Sequence, residues 1–364
     1  MDPGRRSVIK AGAAAAALPL IAGCGDPQAT LAPGVADSGF DDGTTAEEVT
    51  GGIDLRGKLA VVTGCNSGIG YETMRVLAQR GAYVVGTGRT LEKAQAATAS
   101  VPGVTSALQL ELTDFESIVA CAETIRGLMK PVDILVCNAG VRGGDYAVFN
   151  GVEKHFAVNH LGHFLFVNRL LDRLYFSNQG RVVVVSSRAA YRSAPDDGIQ
   201  FDDLAMQRDW SAGRAYAHSK LANALFSLEL ARLLKGTRIT TNALHPGVIA
   251  TNIVRDESAI VRHGFALLTK VRGKTIEQGA ATSCYVATNP ALGNVSGEFF
   301  EDCNRVEVSG THHLRNAEQA SRLWVRSQAL VADYYVTHER PDRAGLENGI
   351  RGTGAPEALE KEAR

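Results

Sequence analysis

Tyr216 and Lys220 stand four apart in Tyr216-Ala217-His218-Ser219-Lys220, within an apolar-periodic stretch that predicts a helix to about Leu234. Residues four apart share a helix face, so phenol and ammonium can point at one ligand. A phenol of ordinary pKa, about 10, exchanges protons poorly at neutral pH, and a nearby ammonium favours its ionised form. The pair therefore suits acid–base chemistry at an oxygen. Taken alone, such a pair reads first as an exposed helical tyrosine beside a solvated lysine. A second candidate is Thr63-Gly64-Cys65-Asn66-Ser67-Gly68-Ile69-Gly70, after an apolar run and before a helical pattern reaching about Arg80. Glycines there let the backbone approach a pyrophosphate seated on the free N–H groups of the helix N-terminus. Nineteen residues after Gly70, Arg89 stands where dinucleotide sites commonly place an acid for the ribose 2′-hydroxyl. A guanidinium suits a 2′-phosphate instead, so NADP(H) is expected over NAD(H). A solvated loop arginine is the competing reading.

These groups need a scaffold, and the hydrophobic pattern supplies one. Leu59–Thr63, Ala82–Val85, Val104–Leu112, Val132–Val136, Arg181–Val185 and Arg238–Ala243 read as strands alternating with helical stretches. Val182–Val185 is four valines in succession, as in a strand buried on both faces of a parallel sheet. Alternation of this kind predicts a doubly wound α/β sheet in a single domain.

The chain has 364 residues and a formal net charge of −1, which argues against affinity built on neutralising nucleic-acid phosphates. Its 38 glycines exceed the usual share of about 7% and suggest tight turns and close backbone approaches. Residues 1–24 read as an export signal: Arg5, Arg6 and Lys10 precede an uncharged apolar run, Ala11 to Ala22. That run is shorter than the roughly 20 residues a membrane span needs. Arg5-Arg6-Ser7-Val8-Ile9-Lys10 resembles a bacterial twin-arginine signal, and Ile21-Ala22-Gly23-Cys24 resembles a lipobox, which would put a lipid anchor on Cys24. Residues 25–52 carry six acids and no Lys or Arg, and their first part reads as a flexible tether. Thr45 to Glu48 has capping-box spacing for a short helix before the domain. The domain is expected over residues 53–336, followed by a mobile polar tail over 337–364.

Four motifs in order resemble the short-chain dehydrogenase/reductase family: Gly64–Gly70, Cys137-Asn138-Ala139-Gly140, Ser186-Ser187 and Tyr216-x-x-x-Lys220. The stretches VNHLGHF (158–164), AYAHSKLANALFSLELA (215–231), HPGVIAT (245–251) and FFEDCN (299–304) narrow the resemblance to a retinol dehydrogenase-like branch, including WW-domain oxidoreductases and plant proteins. It implies a seven-stranded Rossmann-type sheet and an enzyme interconverting an alcohol and a carbonyl, on a lipophilic small molecule. Asn159, Ser187, Tyr216 and Lys220 would form the catalytic tetrad. Tyr216 would act as acid/base and Ser187 would bind the substrate oxygen. Lys220 would hold the nicotinamide ribose and lower the Tyr216 pKa, and Asn159 would hold a relay water. The cofactor would touch Gly64, Asn66, Ser67, Gly68, Ile69, Gly70, Arg89, Asn138, Ala139, Gly140, Tyr216 and Lys220, with Pro246, Gly247, Val248 and Thr251 at its nicotinamide end. Glu111-Leu112 replaces the family's usual Asp-Leu beside the adenine. A non-catalytic nucleotide sensor is disfavoured by the intact tetrad, and an internal-redox enzyme by the short chain after the last strand.

His155, His160 and His163 share one predicted helix, and packing is the expected role, since a metal site would need further ligands. Cys65 and Cys137, beside the cofactor loops, are expected to act as small apolar residues. Phe265–Leu268 falls where this fold carries its substrate lid and suggests an apolar wall.

Overall fold

The computed structural model describes residues 27–249, 273–310 and 312–338. The export signal, Thr251, the proposed lid and nearly all of the tail lie outside the described residues. The sheet has nine strands: β1 (Ala29–Leu31), β2 (Leu59–Val62), β3 (Tyr83–Gly88), β4 (Thr105–Gln109), β5 (Ile134–Cys137), β6 (Gly180–Val185), β7 (Ile239–His245), β8 (Phe299–Glu301) and β9 (Asn304–Val308). Across the sheet they run β4-β3-β2-β5-β6-β7-β8-β9-β1. The strands from β2 to β8 are parallel, and β9 and β1 add an antiparallel edge. The seven-stranded expectation therefore holds for the parallel part, which the chain extends by two strands.

Every residue of β2 and β6 is buried, because helices cover both faces of the sheet. Burying each valine of β6 is worth about 1.5–3 kcal/mol relative to exposure. On the glycine-loop face lie α2 (Gly68–Gln79) and α7 (Ile276–Thr288), which pack together. On the opposite face lie α4 (Phe115–Gly127), α5 (Gly162–Arg169), α6 (Ala212–Leu233) and α8 (Ala317–Leu330). Ser211 caps α6 by accepting from the Arg214 N–H, and the helix is buried on most of its circumference between sheet and α8. At the opposite end of the sheet from the motifs, the Asp133 carboxylate accepts from Lys58 Nζ, the Leu59 N–H and Ser177 Oγ, fastening β2 to β5.

The flexible-tether reading does not hold at Ala29–Leu31, which forms a strand. Ala29–Leu31 pairs with Val306–Val308, and Ala46 and Val49 of the short helix are buried. An acidic composition describes the exposed side chains, whereas the ladder is made by backbone groups that composition does not report. The short helix is closed by a reciprocal capping box between Thr45 and Glu48, as the spacing predicts. Val104–Leu112 is only partly strand: β4 stops at Gln109, and Leu110–Leu112 bends along the rim of the cleft described next.

Candidate active site

Strand order reverses at β2, with β3 on one side and β5 on the other. A crevice opens at such a switch point beyond the carboxyl ends of the strands, where ligands bind in this class of sheet. Here it is a cleft of about 220 Å³. Gly64, Asn66, Ser67, Gly68, Ile69 and Gly70 line it from the β2 side, and Asn138, Ala139 and Gly140 from the β5 side. Arg89, Glu111 and Leu112 stand at one end, and Tyr216, Lys220 and Pro246 at the other. Gly247 and Val248 continue from Pro246, and the Val248 carbonyl accepts from the Lys274 N–H at 2.9 Å.

The two loops are joined by a dense set of bonds. The Asn138 side-chain amide donates to the carbonyls of Thr63 (2.9 Å) and Gly64 (3.3 Å). The Thr63 hydroxyl accepts from the N–H groups of Asn138 and Ala139, each at 2.9 Å. A Cβ on Gly70 would lie 2.3 Å from both Asn138 Nδ2 and the Gly64 carbonyl oxygen, so helix α2 can start this close only without a side chain there. Ser67 occupies the N-cap of α2 with extended backbone, yet its hydroxyl makes no capping bond. The first N–H groups of α2 and the Ser67 hydroxyl thus remain for an anion, which fits the pyrophosphate of a dinucleotide.

At the other end, Tyr216 and Lys220 project from α6 into the cleft, and Lys220 Nζ lies 5.7 Å from the Tyr216 ring centroid. Burial pushes the Tyr216 phenol above its ordinary pKa, while a hydrogen bond with Ser187 and the Arg142 charge pull it down. Lys220 is itself pushed down to about 8 by burial. Its ammonium donates to the Val185 carbonyl at 2.9 Å. Burial is the largest influence on the phenol, and the Arg142 guanidinium, 5.3 Å from the ring centroid, adds a cation that pulls it down.

Asn159 sits in a π-helical turn, Phe156–Leu161, that leads into α5. Such turns are rare and favour functional sites. Its side chain accepts from the Val141 N–H at 2.8 Å and donates to the Val141 carbonyl and to Ser219 Oγ. Both amide hydrogens are thus committed. The side chain is a clamp between the post-β5 loop and α6. Glu111 lines the cleft, but its carboxylate is turned onto the N–H and hydroxyl of Thr113. Cys65 and Cys137 are buried free thiols, as expected of small apolar residues. The helix histidines diverge: His155 bonds Glu153, His160 bonds Ser327, and His163 bonds Thr63.

Lys93, Val141 and Arg142 are among the lining residues not read from the sequence. Lys93, in the first turn of α3 (Leu91–Ala99), joins Arg89 at the rim. Arg142 and Val141 come from the loop after Gly140, where no periodic pattern applies.

A family model for short chain dehydrogenases matches residues 58–197. Human retinol dehydrogenase 12 is 42% identical over 288 residues, spanning 77% of this chain and 88% of that protein. The chain belongs to the short-chain dehydrogenase/reductase family. The chloroplastic short-chain dehydrogenase TIC 32 A of Brassica napus is 38% identical over 310 residues, covering 81% of this chain and 95% of its own. A crystal structure of an uncharacterised protein from Mycobacterium paratuberculosis superposes with a TM-score of 0.63 at 32% identity, over 80% of this chain and 98% of the other. A nicotinamide dinucleotide is the family's cofactor, and the cleft of this short-chain dehydrogenase has the loops to receive one.

Proposed function

We propose that the protein is an NADP(H)-dependent oxidoreductase interconverting an alcohol and a carbonyl on a lipophilic small molecule. What supports this reading most is that Tyr216, Lys220 and the glycine loop face one cleft. A bound nicotinamide dinucleotide supplies hydride transfer at carbon. Residues Ser67 to Gly70 would hold its pyrophosphate, and Tyr216 with Lys220 its nicotinamide ribose. Tyr216 gives a proton to the substrate oxygen in reduction and takes it in oxidation. Ser187 donates a hydrogen bond to that oxygen and stabilises its developing charge. The lipophilic alcohol for which the retinol dehydrogenases are named supports the substrate class. Turnover of a panel of ketones and alcohols with both cofactors tests the reading, and no turnover of any would overturn it.

Cofactor choice rests on Arg89 and Lys93, two cations at the rim. Hydrogen bonds to charged groups are worth about 1.5–3 kcal/mol, so Arg89→Ala should weaken NADPH binding by roughly tenfold or more and leave NADH nearly unchanged. Lys93→Ala should act in the same direction with a smaller effect, since an ammonium cannot grip a phosphate in a paired fashion. Titration of each variant with both nucleotides reads this out. A wild-type preference for NADH would overturn it.

We further propose that the protein leaves the cytoplasm folded, with cofactor bound, as a periplasmic or membrane-anchored lipoprotein. The Arg5-Arg6 pair and Cys24 support that address. Replacing both arginines by lysine should hold the protein in the cytoplasm, and Cys24→Ala should move it from the membrane to the soluble periplasmic fraction. A wild-type protein found in the soluble cytoplasm would refute the proposal.

A further inference from the structure

His163 follows Gly162 at the first turn of α5, and its ring is buried at 2% exposure. A Cβ on Gly162 would lie 2.4 Å from the Leu112 carbonyl oxygen, so α5 is pressed against the loop that forms the cleft rim. From that position the imidazole reaches two other parts of the site. Its Nδ1 lies 3.0 Å from the Asn159 carbonyl oxygen, and its Nε2 lies 2.9 Å from Thr63 Oγ1.

The direction of both bonds follows by elimination. A carbonyl only accepts, so Nδ1 must carry the hydrogen. The neutral ring then has Nε2 as its acceptor, and the single Thr63 hydroxyl hydrogen goes to it at 2.9 Å in preference to the Val136 carbonyl at 3.3 Å. Thr63 Oγ1 keeps its lone pairs for the N–H groups of Asn138 and Ala139. One imidazole therefore joins the carbonyl of the π-helical turn to the hydroxyl that ties the two cofactor loops. Burial pushes the ring down to about 4, which keeps it neutral at ordinary pH. The chain of bonds ends on backbone amides, so it fixes position and does not carry protons.

We propose that His163 is a positioning residue that sets the Asn159 turn in register with the Thr63–Asn138 cofactor loops, through a neutral Nδ1–H imidazole. This rests on the oxidoreductase reading for its kinetic consequences, whereas the tautomer and the nucleotide affinity stand apart from turnover.

Two variants separate the arms. Asn168 of the same helix donates to the carbonyl four residues before it at 2.7 Å, so an asparagine at 163 can keep the Asn159 bond while falling short of Thr63. His163→Leu loses both. A typical net hydrogen bond corresponds to about five- to tenfold. NADPH affinity measured by calorimetry should fall five- to tenfold in both variants. With a substrate from the panel, kcat should fall about tenfold in His163→Leu and stay within twofold in His163→Asn. Thermal midpoints recorded alongside show whether stability alone accounts for the change. Loss of kcat in His163→Asn equal to that in His163→Leu would overturn the proposal. Nitrogen-15 spectra of the unaltered protein should show His163 protonated at Nδ1 alone, and protonation at Nε2 would overturn it even if neither variant folds. Absence of turnover in the unaltered protein, with the tautomer and affinity losses as stated, would instead refute the oxidoreductase reading.

Discussion

Tyr216→Phe should lower kcat by about 10³-fold while NADPH still binds, weaker by no more than about tenfold for the lost ribose bond. General acid–base catalysis typically contributes 10²–10⁴, and this substitution deletes only the oxygen that exchanges the proton. The ring remains in place beneath Arg142 and beside Lys220, so the cleft keeps its shape. Burial raises the phenol in the nucleotide-free chain, which opposes ionisation; Ser187 and Arg142 pull the other way. A buried phenol that must ionise gives oxidation rates that climb with pH, and that limb should vanish in the variant. Steady-state kinetics across pH, together with nucleotide titration, provides the check. Turnover within tenfold of the unaltered enzyme would remove Tyr216 from the chemistry.

Gly70→Ala should abolish function by a different route. The added methyl meets the Gly64 carbonyl oxygen and the Asn138 amide, both at 2.3 Å. The carbonyl is backbone, and the amide is held by its bonds to Thr63 and Gly64, so neither yields without opening the loop. Overpacking of this kind costs about 1–3 kcal/mol, and nucleotide affinity should fall by at least about tenfold because the displaced atoms form the cleft wall. A control lies at Gly127, the last residue of α4, where a Cβ would meet nothing within 4 Å. Gly127→Ala should leave affinity unchanged and stability level or raised by a few tenths to about 1 kcal/mol. Thermal unfolding and nucleotide titration of both variants decide the matter. Equal behaviour of the two would mean that the close approach at Gly70 carries no cost.

Much of the fold was legible because its signals are local. The valines of β6 announce a doubly buried strand, the alternation of runs announces crossover helices, and Thr45 to Glu48 announces a cap. The strands that escaped are β8, β9 and β1: β8 and β9 are short arms of one tight hairpin, and β1 and β8 also take ladders from partners far away in sequence. Ala29–Leu31 looked like tether because its side chains are mostly exposed, and the partner that orders it lies almost 280 residues later.

The same division runs through the site. Sequence alone determined which groups could do chemistry, because the glycine loop, the Tyr216–Lys220 pair and Arg89 depend on residue type and short spacing. Only the tertiary structure decided what each of them does. Protonation depends on burial and on groups brought from elsewhere in the chain, so the phenol rises while Ser187 and Arg142 pull it down. Hydrogen-bond commitments depend on neighbours across the sheet, so Asn159 became a clamp and Glu111 turned to Thr113. His163 was an ordinary packed histidine in the sequence. It became a link between two loops when folding carried it to Thr63, one hundred positions away along the chain.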